Sequence, residues 1–303
     1  MMKRSLVLIA WLGILTGIGC EAGQNPHERK GDVYFKAGRY DDAYAEYAVA
    51  ARRASEDPEL LRKMGKTSFL RRDLKGTRDA YVALLRVSPE EVDRVAVDFF
   101  QLGVAFHKAG DAVQMAAAFG CLFEVDSTYN IGEYYYDLAD HFQNEADFTK
   151  AVKYYTRALT YHPEHDKVPE STFRLALSLE KLEKYRDALV YYEQYLHRFP
   201  RGQELDSVKW HLGACGYHVA REEFENGNPE TALDYLSILF RTNQPRVMAD
   251  DAWYLKGEIY LAIGRPDSAL VAYERVLELN PSRTGRLALL SQERVREIKY
   301  GRR

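Results

Sequence analysis

One spacing recurs along this chain and restricts its fold more than any other feature. A small residue is followed twelve positions later by a second, four later by an aromatic ring and eight later by a turn residue. Gly31, Ala43, Tyr47 and Ser55 set the pattern, which returns as Gly65, Thr77, Tyr81 and Pro89 and as Gly103, Met115, Phe119 and Ser127. Ala139, Ala151, Tyr155 and Pro163 follow, then Ala176, Ala188, Tyr192 and Pro200, and last Gly257, Ala269, Tyr273 and Pro281. Small residues let two helices approach, the ring fills the space between them, and Pro or Ser closes the second helix. Gly38, Gly110 and Gly264 fall between the two helices of their copies, where a residue with positive φ ends the first. A lone helical hairpin cannot bury its apolar face, so the copies have to stack.

A seventh copy is hidden by an insertion, since Gly213 precedes Ala232 by nineteen residues where twelve is the rule. The seven extra residues are about two helical turns, so the phase survives. Leu205, Val208, Leu212, Cys215 and Val219 keep a 3-4-3-4 spacing through it, which predicts one lengthened first helix. From Thr284 onward Leu287, Leu290, Val295 and Ile298 alternate with charges, as in a helix that covers the last repeat. Together with Trp253 four residues before Gly257, this array resembles the tetratricopeptide repeat (TPR). The resemblance implies an all-α TPR solenoid of about seven helix-turn-helix repeats over residues 30–283, with a C-terminal capping helix over residues 284–303.

The N-terminus carries a different signal. Lys3 and Arg4 precede an uncharged apolar stretch, Leu6 to Ile18, which is short for a membrane span and suits a secretory signal. It ends in Gly19-Cys20, with Gly17 three and Leu15 five positions before the cysteine. Here the chain resembles bacterial lipoprotein precursors, whose cysteine becomes the first mature residue. The resemblance implies a signal peptide over 1–19, a lipidated Cys20 and a polar tether over 20–29. Several acyl chains would then anchor the protein where one would not. In that family Asp after the cysteine favours the inner membrane, so Glu21 implies the outer membrane, facing the periplasm. The alternative reading is an ordinary cleaved signal with Cys20 incidental to it.

Few other chemistries find support. Forty-two basic against 45 acidic residues leave a formal charge of −3, so no global field favours nucleic acid. GxxxxGK[ST], HExxH and GxSxG are all missing, and the chain reads as non-enzymatic, with no cofactor and no small-molecule substrate. His162 and His165 lie in a repeat-ending turn without a third ligand, and His211, His218 and Glu222 on a polar helix face, so no metal site is expected. Cys121 and Cys215 fall on apolar stripes and are expected to be buried thiols.

In TPR proteins the side chains of first helices that are not used for packing line a groove. Mapped onto this chain, that groove comprises Arg62, Lys66, Phe100, His107, Lys108, Tyr136, Asp140, Asn144, Phe173 and Lys181. Charges alternating with rings suit a peptide or helix of a partner protein, rings anchoring and charges setting register. The combination of leader and repeats broadly resembles the TPR lipoprotein family of the outer-membrane β-barrel assembly machinery. It implies a lipid-anchored scaffold in the cell envelope that binds a protein partner in an envelope complex. The tyrosine-rich helices, at Tyr134 to Tyr136, Tyr154 and Tyr191, leave open a module that binds peptidoglycan or its synthetic enzymes.

Overall fold

Asn25 accepts the backbone N–H of His27 at 3.0 Å and Pro26 occupies the first helical position, so α1 (Pro26–Lys36) starts there. Residues 26–29, expected to end the tether, are therefore the first turn of a helix. The computed structural model describes residues 25–301. The signal peptide and Cys20 lie outside the described residues.

Seven hairpins follow in order. They are α1 with α2 (Tyr40–Ala51), α3 (Pro58–Leu70) with α4 (Leu74–Val87), and α5 (Val92–Lys108) with α6 (Ala112–Val125). Next come α7 (Tyr134–Asn144) with α8 (Phe148–Tyr161), α9 (Val168–Lys181) with α10 (Tyr185–Arg198), and α11 (Leu205–Glu225) with α12 (Pro229–Thr242). The last pair is α13 (Ala249–Ala262) with α14 (Pro266–Leu279), on which α15 (Arg286–Tyr300) packs. No strand occurs among the described residues, and the fold is the all-α TPR type. One compact unit holds the residues up to Lys108 with Ala117–Tyr129, the other Ala109–Ala116 with the residues from Asn130 on.

The recurring small residue and ring meet directly. A Cβ added at Gly31 would come within 2.5 Å of the Tyr47 ring, and one at Gly257 within 2.5 Å of the Tyr273 ring. Gly65 faces Tyr81 and Gly103 faces Phe119 more tightly still. Each of these rings is essentially inaccessible, as are Tyr155 and Tyr192 in the copies that use alanine. Burying one ring contributes at most about 4 to 6 kcal/mol before ordering costs.

The turn between the two helices is also uniform. Gly38, Gly110 and Gly264 take φ of 72°, 74° and 71° as expected, and so does Gly227 at 82°. Arg72, Ala146 and Glu183 adopt the same left-handed conformation without being glycine. In six of these turns the next residue donates its N–H five positions back, for example Asp147 to Phe142 at 2.9 Å and Arg265 to Tyr260 at 2.8 Å. As the spacing predicts, α11 is a single lengthened helix of 21 residues. Its Gly213 packs against the main-chain carbonyl of Gln244 and not against a ring.

Candidate functional site

A buried tyrosine must find a partner for its hydroxyl. For five such tyrosines that partner is a carboxylate, and each carboxylate meets a Lys, Arg or His side chain, so that three successive helices are tied at one point. Tyr47 of α2 donates to Asp32 of α1 at 2.7 Å, and Lys63 of α3 lies 2.9 Å from the same carboxylate. Tyr81 of α4 donates to Asp98 of α5, which Lys66 of α3 approaches to 2.7 Å. Tyr155 of α8 donates to Asp140 of α7 at 2.6 Å, with Arg174 of α9 at 3.2 Å. Tyr192 of α10 donates to Glu180 of α9 at 2.7 Å, and His211 of α11 lies 3.0 Å away. Tyr273 of α14 donates to Glu258 of α13 at 2.5 Å, and the Arg294 fork of α15 grips it at 3.0 and 3.1 Å.

Electrostatics follow this ladder. Burial raises the tyrosine hydroxyls well above their ordinary range, and the adjoining carboxylates add to the effect. For Glu180 burial pushes the carboxyl upward, but hydrogen bonds from His211 and Tyr192 outweigh it, and the net shift is down. For Lys63 burial pulls downward while Glu28 and Asp32 prevail, and the ammonium is held above its usual value.

The ladder redefines several residues assigned to the groove by repeat position. Lys66 and Asp140 are rungs, and Arg62 pairs with Glu59 and with Glu91 at 2.5 Å. Tyr136 is fully buried, donates its hydroxyl to the His162 carbonyl at 2.8 Å and stacks on His165 at 4.7 Å. Phe173, also buried, packs edge-on to His211. These two rings are core residues, because the turn after α8 and the helix α11 close over them. Phe100 packs on Phe119 and Tyr129 and His107 is half-buried, whereas Lys108, Asn144 and Lys181 are exposed. Tyr135 and Tyr154 are buried as well, which removes rings that a glycan would need. His218 stacks on Tyr185 at 4.7 Å. Cys121 and Cys215 are both buried.

In the first unit one pocket has a volume of about 480 Å³. Phe35 supplies its apolar wall, and Lys36, Arg62, Lys63, Lys66 and Arg94 face into it beside Asp32 and Glu59. The carboxylates of Glu28, Glu91 and Asp98 that pair with these cations are themselves 10%, 15% and 6% exposed. Glu59, 57% exposed, and Asp32, 27% exposed, stand at the mouth, so the lining carries five cations against two acids. Only Arg62 and Lys66 of this set follow from repeat position. In the second unit a depression of about 570 Å³ is lined by Asp206, Ser207, Trp210, His211 and Gln244. Trp210, 42% exposed, is an anchor-type residue that sequence reading missed; its signal was a large ring off the apolar stripe of α11.

No group of three or more His, Cys, Asp or Glu side chains among the described residues is placed to hold a metal ion. No helix among them is long and apolar enough to cross a membrane.

Residues 250–283 match the family model of the tetratricopeptide repeat, and residues 130–244 match that of a family described as outer membrane lipoprotein. A TPR repeat-containing protein, MJ1428, of Methanocaldococcus jannaschii is 22% identical over 333 residues, which cover 92% of this chain and 56% of the relative. The chain thus spans a little over half the length of that protein. Among solved structures, a chain of Naa15/Naa10 bound to HypK-THB superposes with a TM-score of 0.40 at 12% identity, over 90% of this chain and 38% of the other. YrrB, a TPR protein with an unusual peptide-binding site, gives a TM-score of 0.36 at 18% identity, over 71% and 99%.

Proposed function

From the premise of a tetratricopeptide-repeat protein resembling the outer membrane lipoproteins, we propose a non-enzymatic scaffold that Cys20 anchors to the outer membrane on its periplasmic side. There it holds an acidic, extended segment of an envelope protein, with outer-membrane protein assembly as the setting. The observation that carries the peptide reading is the pocket beside Phe35, whose lining sets the cations Lys36, Arg62, Lys63, Lys66 and Arg94 against only two acids, Asp32 and Glu59. Phe35 offers an anchor for an apolar side chain, and Lys36 and Arg94 offer charge for a neighbouring carboxylate. Neither cation is a rung of the ladder, and Arg94 meets Glu91 only at 3.8 Å.

The experiment places a photo-crosslinking residue at Lys36 in the full chain in cells. A discrete envelope protein is expected to be captured, and Arg94→Glu is expected to weaken capture several-fold while leaving the helix content unchanged. Capture that persists undiminished in Arg94→Glu, or none above background, would remove the peptide reading. The anchor is tested separately: Cys20→Ala should release the protein from membranes and abolish any acyl mass, and a soluble, unacylated wild type would overturn it.

A further inference from the structure

Helix α15 buries one side and leaves the other open. Ala288 and Ser291 face inward and are inaccessible, and Arg294 reaches back to Glu258. On the opposite side Leu289 is 56% exposed and Tyr300 83% exposed, with Glu293 and Arg296 exposed between them. At 100° per residue these four fall within an arc of about 60°. Together with Gln292, Glu297 and Gly301 they line an open depression of about 820 Å³. Glu293 and Arg296 make no ion pair among the described residues, whereas their neighbour Glu297 is taken by Arg294 and Lys299 by Glu274.

We infer that this face pairs with the same face of a second copy, two α15 helices lying antiparallel across a twofold axis. The argument is the arrangement of the four residues. Leu289 and Tyr300 are equidistant from the midpoint between Arg294 and Val295, and so are Glu293 and Arg296. A twofold at that midpoint therefore sets Leu289 against Tyr300 of the second copy and, in the same register, Glu293 against Arg296 of the second copy. Every contact occurs twice, as an isologous interface requires. The apolar pairs close the two ends and the opposite charges meet beside the axis, which fixes both direction and register. A parallel arrangement in the same register would set Glu293 on Glu293 and Arg296 on Arg296. One helix pair lies at the small end of interface sizes, so the dimer is reversible, in the range of about 10 to 100 µM.

Sedimentation equilibrium of the full chain in density-matched detergent reads this directly. Wild type should show concentration-dependent dimers. Glu293→Arg and Arg296→Glu, each replacing two attractions by two repulsions, should weaken association by about five- to tenfold or more, and the double swap should bring it back to within about threefold. Leu289→Asp with Tyr300→Asp should leave a monomer. A wild type that stays monomeric to about 100 µM, single swaps without effect, or a double swap no better than the singles would overturn the proposal.

Discussion

The joint around α13 and α14 and the one around α11 and α12 solve the same packing problem by different means. In the first, Gly257 admits the Tyr273 ring, the ring's hydroxyl reaches Glu258, and Arg294 of the next helix closes the rung. In the second, the ring position is occupied by Leu236, which has no hydroxyl, and Gly213 admits the carbonyl of Gln244. Its core of Ala220, Ala232, Leu236, Leu239, Ala252, Leu255 and Ile259 is wholly apolar. A ring on a glycine brings its own polar handle and with it a register; an aliphatic core needs the register from the main chain. The difference teaches that the repeat motif encodes more than close approach, since it also places a directional bond between hairpins.

The largest effect should separate the two glycines. At Gly257 an added methyl meets ring carbons, and a ring can tilt; Gly257→Ala should cost about 1 to 3 kcal/mol. At Gly213 the methyl meets a main-chain oxygen that also accepts from Thr242 at 3.0 Å, so the turn after α12 would have to be rebuilt. Gly213→Ala should cost more than about 3 kcal/mol in urea unfolding followed by circular dichroism. Equal costs at the two sites would mean that the packing difference has no energetic meaning.

Much of this was legible in the sequence, for a physical reason. Small residue, ring and turn are locked to helical geometry, so the seven hairpins, the lengthened α11 and three glycine turns follow from spacing. The ladder was not, although its sign stands in plain view: an acid follows the small residue at Gly31-Asp32, Ala139-Asp140 and Gly257-Glu258. Asp98 and Glu180 break that pattern, and their partners Lys66 and His211 come from a neighbouring repeat, on the N-terminal side for Asp98 and on the C-terminal side for Glu180. For the same reason repeat position put Tyr136 in a groove, when the turn holding His162 and His165 covers it. The left-handed turns at Arg72, Ala146 and Glu183 escaped because none is glycine.

A smaller effect tests the polar handle itself. Tyr273→Phe keeps the ring and removes one hydrogen bond to a charged group, at about 1 to 2 kcal/mol. The Tyr192 rung adds a dependence on pH. Since Glu180 is held below its ordinary value of 4.5 in the folded chain, the unfolded chain binds its proton more readily. The stability it contributes is present above that ordinary value and is lost as pH falls through the lowered one. Glu180→Gln should flatten the fall of the urea midpoint on acidification below about pH 5, and an unchanged slope would remove Glu180 from the account. The joint at α11 and α12, lacking a hydroxyl and carboxylate at this place, should show no such response to Leu236→Val.

The smallest effect lies where the two hairpins are alike. Both turn through a left-handed glycine, Gly227 at φ 82° and Gly264 at φ 71°, so Gly227→Ala and Gly264→Ala should each cost about 1 kcal/mol despite their different cores. The same turn at Ala146 and Glu183 holds an L side chain at φ 58° and 57°, and both side chains are exposed. Glycine there relieves about 1 to 2 kcal/mol of backbone strain but gives the unfolded chain more freedom, worth about 0.5 to 1 kcal/mol. Ala146→Gly and Glu183→Gly should therefore raise stability by about 0.5 to 1 kcal/mol each, and add when combined, since the turns lie in separate hairpins. A loss of stability in both variants would show that the unfolded chain and not the turn decides the balance, and the glycines at Gly227 and Gly264 would then owe their place to something other than φ.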